Sequence, residues 1–194
     1  SIFDIYKIGV GPSSSHTLGP WKAALLFGDK IKGAELEYIS IELYGSLSKT
    51  GIGHGTNIAI ILGLSGHQPT TIDTTRINEY IEAVTENKQI TINGQKLEFD
   101  PSSSFVFMNE FLPYHPNGMK IIAELKNGEV VSETYYSIGG GFVEKEGQKI
   151  QEENHNYPYP IDSEKDIIRH INATDKSIWE LTLENEKTFL PEAE

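Results

Sequence analysis

Cysteine is absent from the 194 residues. That excludes disulfides, thiol nucleophiles, and thiolate-held zinc or iron–sulfur centres within this chain. Cations are scarce: 16 Lys and Arg stand against 28 Asp and Glu, for a net charge of −12. Nucleic acid needs clustered basic side chains, so it is excluded as a partner. An anionic ligand would have to be held by local donors against this overall field. No apolar run approaches the roughly 20 residues of a membrane span, which argues against a membrane partner. Ser1–Tyr6 has no basic region ahead of an apolar core, so no signal peptide is read and a cytoplasmic location is expected. Internal repeats and low-complexity tracts are also missing. What remains, 38% hydrophobic and 23% charged residues, suits one sizeable soluble core with a small appendage.

The elements follow from periodicity and punctuation. Pro20 to Phe27 reads as a helix with proline in its first turn. Ile39, Ile41 and Leu43 alternate with polar residues, the period of a half-buried strand. Gly45 opens a polar loop leading to His54, and Thr56 to Leu64 is a compact apolar helix ending near Gly66. Thr74 to Glu86 places Ile77, Ile81 and Val84 on one helical face. Asn93-Gly94 and Asn127-Gly128 each separate strand-like runs, predicting two hairpins. Strands and helices mix without a regular βαβ rhythm, so the expected class is α+β, a mixed sheet with packed helices. Asn154, Asn156, Pro158 and Pro160 mark irregular backbone, and a boundary is placed near residue 157, giving domains 1–156 and 157–194. In the second, Asp162 or Ser163 can cap one helix, and Thr174 or Asp175 another running through Trp179 to Phe189.

Four segments carry possible chemistry. Ser13-Ser14-Ser15-His16-Thr17 follows Gly11-Pro12 and precedes a helix. Its hydroxyls, imidazole and backbone N–H groups can hold a small anion, or Ser15 and Thr17 can simply cap the helix. Gly53-His54-Gly55-Thr56 repeats the design. His54 is either a proton carrier, a role imidazoles suit because they titrate near about 6.5 when unperturbed, or an exposed loop histidine; Thr56 is a ligand donor or a cap. Asn117, in His115-Pro116-Asn117-Gly118, is a turn residue or a donor orienting a carboxylate or amine. Gly139-Gly140-Gly141 is a flexible connection or a row of backbone donors for an anion. No spacing of His, Asp or Glu specifies a metal site in this chain. His67, His155 and His170 read as surface or packing residues.

Taken in order, these segments resemble the N-terminal, or beta, domain of bacterial iron–sulfur-dependent L-serine dehydratases (L-serine ammonia-lyases). The matching pieces are Ile2-Phe3-Asp4, Ile8 to Pro20, Leu43-Tyr44-Gly45-Ser46-Leu47, Thr50-Gly51, Gly53-His54-Gly55-Thr56, His115 to Met119 and Tyr135 to Phe142. The stretch from Asp166 to His170 and the tail look like the start of that family's helical alpha portion. The resemblance implies a fold related to the intervening domain of some phosphoglycerate dehydrogenases. It also implies deamination of L-serine to pyruvate and ammonia with a [4Fe–4S] cluster as Lewis acid instead of pyridoxal phosphate. His54 would be the base. Ser13, Ser14, Ser15, His16, Thr17 and Thr56 would bind substrate, with Asn117 and Gly139 to Gly141 lining the same cleft. The cluster ligands would lie in a cysteine-bearing alpha domain or subunit, leaving this chain inactive alone. A homo-oligomer is expected. Asn57 departs from the acidic residue expected after the Gly-His-Gly-Thr run. A regulatory amino-acid-binding module and a purely architectural domain are the competing readings.

Overall fold

A computed structural model describes residues 7–148 and 157–188. The described residues form two compact units, 7–148 and 157–188. The boundary expected near residue 157 adjoins residues 149–156, which lie outside the description, as do Ile2-Phe3-Asp4, Asn154, Asn156 and Phe189.

The larger unit is α+β. Its main sheet has the order β4-β1-β5-β6-β7, with β1 Leu36–Leu43, β4 Phe105–Phe107, β5 Gly118–Leu125, β6 Val130–Gly139 and β7 Phe142–Lys145. Strand β4 runs parallel to β1, and the other pairs are antiparallel. Alternation in β1 works as expected: Ile39, Ile41 and Leu43 are buried together in the main core with Phe27, Leu47, Phe99 and Ile121. Asn127-Gly128 joins β5 to β6. Asn93-Gly94 closes a separate two-stranded sheet of β2 Gln89–Ile92 and β3 Gln95–Glu98, both turn residues at positive φ (50° and 81°) as this pair permits.

Helix α1 (Gly19–Lys30) extends the expected Pro20–Phe27 segment at both ends, and α3 (Thr56–Leu64) matches its expected span. They lie against each other at Gly63, where a Cβ would fall 2.5 Å from the carbonyl oxygen of Trp21 and 2.7 Å from Ala24 Cβ. Glycine there lets the two helices approach closely enough to bring the loops at their N-terminal ends together. The amphipathic segment divides into a tight turn, Thr74–Arg76, and helix α4, Ile77–Asn87.

Several elements differ from expectation. The polar stretch after Gly45 contains a short helix, α2 (Gly45–Thr50). Its Ser, Lys and Thr content reads locally as loop, but tertiary hydrogen bonds pin its start: Gly45 N–H donates to Glu110 O (2.9 Å) and Ser46 N–H to Pro116 O (2.9 Å). The structure also adds a one-turn helix α5 (Pro101–Ser104) and the short strands β4 and β7. In the smaller unit, Ser163 precedes helix α6 (Glu164–Thr174), one of the two positions expected. For helix α7 (Ile178–Glu186) the expected caps Thr174 and Asp175 are wrong. Ser177 is the cap, in a reciprocal box with Glu180, while Asp175 terminates α6 at φ 56°.

Candidate active site

The serine loop folds as a wide, π-helical turn, Ser14–Leu18, directly before α1. Ser13 caps it, its Oγ accepting from His16 N–H (3.2 Å). Ser15 does not cap a helix; its Oγ lies 2.9 Å from His16 Nδ1. Ser14 is exposed on the turn. Gly11, at φ 99°, must be glycine, since a Cβ would come 2.4 Å from Thr17 Cγ2.

The second histidine loop is laced to the first. Thr17 Oγ1 donates to the backbone carbonyl of His54 (2.8 Å), and Thr56 Oγ1 donates to that of His16 (2.5 Å). Both threonines are buried, at 5% and 0% exposure. Pro20 explains one arm of this exchange. It has no N–H, so the His16 carbonyl lacks the helical donor four residues on, and the Thr56 hydroxyl takes that place. The reciprocal clasp brings the imidazoles of His16 and His54 to a centroid separation of 5.0 Å.

The two rings are held differently. His16 has both nitrogens engaged: Nδ1 by Ser15 and Nε2 by Ser46 Oγ, each at 2.9 Å. His54 Nδ1 lies 2.9 Å from the carbonyl oxygen of Thr50. A carbonyl only accepts, so Nδ1 is the donor, and in the neutral ring the lone pair is on Nε2. Burial, followed by the neighbouring His54, lowers the pKa of His16 below the usual imidazole value. His16 is therefore neutral at neutral pH.

Asn117 and the glycine run border these loops. Asn117 is buried, its Nδ2 donating to Ser137 O (3.1 Å), while Ser137 N–H donates to Asn117 O (3.0 Å). The preceding Pro116 carbonyl holds Ser46, which links this turn to His16. Gly139, Gly140 and Gly141 all have positive φ in the β6–β7 connection. Lys22 of α1 donates to Gly141 O (2.8 Å), tying that connection to the helix leaving the serine loop. Burial, with a smaller contribution from Lys7, lowers the pKa of Lys22.

Sequence reasoning missed Ser46, Thr50, Lys22 and Ser137. Ser46, Thr50 and Ser137 left a trace, inside the matching Leu43–Leu47, Thr50-Gly51 and Tyr135–Phe142 segments, and Lys22 left none. His67, read as a surface or packing residue, stacks on Tyr80 (4.6 Å between centroids), and its carbonyl accepts from Trp21 Nε1 (2.7 Å).

A family model described as serine dehydratase beta chain matches residues 1–148. The chain belongs to the serine dehydratase beta chain family. It is 44% identical over 195 residues to an L-serine dehydratase of Haemophilus influenzae, a match covering 96% of this chain and 43% of that protein. It is 41% identical over 195 residues to L-serine dehydratase 1 of Escherichia coli, covering 96% and 43%. A Streptomyces coelicolor L-serine dehydratase is 38% identical over 205 residues, covering all of this chain and 45% of its own length. The chain thus spans less than half the length of these curated relatives. As a serine dehydratase beta chain it carries the His16 and His54 loops and the Asn117 and triple-glycine turns within the matched region.

Proposed function

We propose that this chain supplies the base and the substrate-holding groups of an L-serine dehydratase that converts L-serine to pyruvate and ammonia. The unequal occupation of the two imidazoles carries this reading. Abstraction of the α-proton of serine needs a neutral nitrogen whose lone pair is open, within hydrogen-bond reach of the substrate. His54 meets that requirement at Nε2, because the Thr50 carbonyl fixes its other nitrogen as the donor. His16, bound at both nitrogens, acts as an oriented polar wall. Ser13, Ser14 and Ser15 take the serine carboxylate alongside the His16 ring. Asn117 and the backbone of Gly139 to Gly141 are secondary lining groups. Thr17 and Thr56 hold the loops.

His54 accepts the proton from Cα as the substrate hydroxyl departs. The resulting enamine tautomerises to an imine, which water hydrolyses to pyruvate and ammonia. Departure of hydroxide calls for an electrophile, which the family resemblance assigns to a [4Fe–4S] cluster. The donors here do not fit that group. The chain has no cysteine, and the described residues contain no cluster of three or more His, Cys, Asp or Glu side chains able to hold a metal ion. A cluster would therefore be held by residues beyond this sequence, in an alpha domain or subunit, and binding and proton transfer are the steps assigned to this chain.

In the complete enzyme, His54→Asn should lower kcat by about 10²- to 10⁴-fold, the usual contribution of a positioned base, with KM within a few-fold of wild type. Turnover at the wild-type rate would overturn the assignment. Serine binding by this chain, with turnover unchanged after substitutions at Ser13 to His16, would favour the regulatory reading.

A further inference from the structure

Helix α2 touches both histidines, although it contributes no group to the proton transfer. Ser46, near its start, places Oγ 2.9 Å from His16 Nε2; Thr50, at its end, places its carbonyl oxygen 2.9 Å from His54 Nδ1. The two anchors are four residues apart, about 6 Å along a helix rising about 1.5 Å per residue, comparable with the 5.0 Å between the rings. Thr50 Oγ1 also donates back to Ser46 O (2.9 Å), joining the two anchor residues directly.

The Ser46 end is rigidly mounted. Its own N–H is bound to Pro116 O, and the N–H of Gly45 to Glu110 O. Gly45 sits at φ 52°, where a Cβ would come 2.3 Å from Pro116 O. The Ser46 hydroxyl is thus fixed relative to the sheet through the turn that carries Asn117. Ser15, by contrast, neighbours His16 in sequence and moves with it. Of the two hydroxyls on His16, only Ser46 relates the ring to the rest of the fold.

We propose that α2 is the template that sets the imidazole pair, and that Ser46 is the positioning residue for His16. This rests on the reading of His54 as base, but its structural content is separate. Ser46 selects one orientation and one hydrogen-bonding state of His16, keeping that ring fixed beside His54 as His54 gains its proton.

The test uses Ser46→Ala and the hydroxyl-retaining Ser46→Thr. Long-range ¹H–¹⁵N correlation spectra of the 194-residue chain, which contains six histidines, report tautomer and titration ring by ring. Ser46→Ala should convert His16 from one ring state to a mixture and move its pKa, while His54 keeps its Nδ1–H tautomer. In the complete enzyme the same variant should lower kcat/KM about tenfold, the scale of one lost hydrogen bond, and Ser46→Thr should restore most of it. An unchanged His16 spectrum in Ser46→Ala overturns the proposal whatever the turnover, and so does a Ser46→Thr variant that behaves like Ser46→Ala. Wild-type turnover by His54→Asn, in contrast, removes the base assignment and leaves the spectroscopic result standing.

Discussion

Breaking the reciprocal threonine clasp should loosen both histidine loops together, and the two arms should not cost the same. Thr56→Val keeps the side-chain shape but removes the hydroxyl that donates to the His16 carbonyl at 2.5 Å in a fully buried position. Proline at position 20 cannot donate instead. Stranding a buried acceptor costs about 1–3 kcal/mol, and this carbonyl belongs at the upper end. Thr17→Val removes the 2.8 Å bond to the His54 carbonyl and should cost nearer the average of about 1 kcal/mol. Both arms restrain one pair of loops, so the double variant should lose less than the sum, with a coupling of at least about 0.5 kcal/mol. Urea denaturation followed by fluorescence would measure this. Trp21 is 1% exposed in the larger unit, whereas Trp179 is 66% exposed in the smaller one, so a Trp179→Phe background isolates the relevant signal. A second readout is the His16 titration, which should move upward as the rings separate. A Thr56→Val loss below about 0.5 kcal/mol, or strict additivity of the two variants, would refute the clasp as an energetic unit.

Three further outcomes are expected. Two imidazolium charges 5.0 Å apart would repel by about 3 kcal/mol at an effective dielectric of about 20 and by under about 1 kcal/mol in bulk water. His54→Asn should therefore raise the His16 pKa part-way toward 6.5, since burial, the larger cause of its depression, persists; an unmoved histidine titration by NMR would contradict this. His16 and His67 both have folded pKa values below 6.5, so folded and unfolded chains bind equal protons at these sites only well above that pH. As pH falls below 6.5 the unfolded chain protonates first and stability declines. That slope should appear in denaturation midpoints well before the carboxylates titrate, Asp100 having its pKa lowered to about 2, and should shrink when both histidines become glutamine. Finally, Ser137 Oγ is buried with no hydrogen-bond partner among the described residues, and a Cβ on Gly19 would come 1.9 Å from it. Ser137→Ala should be neutral or stabilising, whereas Gly19→Ala should destabilise by about 1–3 kcal/mol or more through overpacking; equal melting temperatures would disprove the close approach.

Local rules carried the elements whose signals are complete within a few residues. Alternation placed Ile39, Ile41 and Leu43 on one buried face, and the Asn-Gly pairs gave both hairpins because that dipeptide tolerates positive φ. The same rules missed α2 and the Ser177 cap. Helix α2 depends on acceptors at Glu110 and Pro116, more than 60 residues away, and the cap depended on choosing among several nearby polar residues. The site divided in the same way. Glycine-flanked His54 and the serine run around His16 stand out as residue types in suggestive company. Their roles depend on partners that sequence spacing does not reveal.

The sequence by itself determined the chemical inventory. It supplied imidazoles and hydroxyls without a thiol, in an acidic chain, on two loops that each lead into a helix. Only the tertiary structure decided how that inventory is used. The clasp between Thr17 and Thr56 joins loops nearly 40 residues apart, and α2 presents a hydroxyl to one histidine and a carbonyl to the other. The physical reason is that an imidazole's availability as a base depends on which of its nitrogens is already hydrogen-bonded. At His16 the Nδ1 bond is local, from Ser15, and the Nε2 bond comes from Ser46, 30 residues on, while at His54 the bond to Thr50 forms only because Gly45–Thr50 folds as a helix.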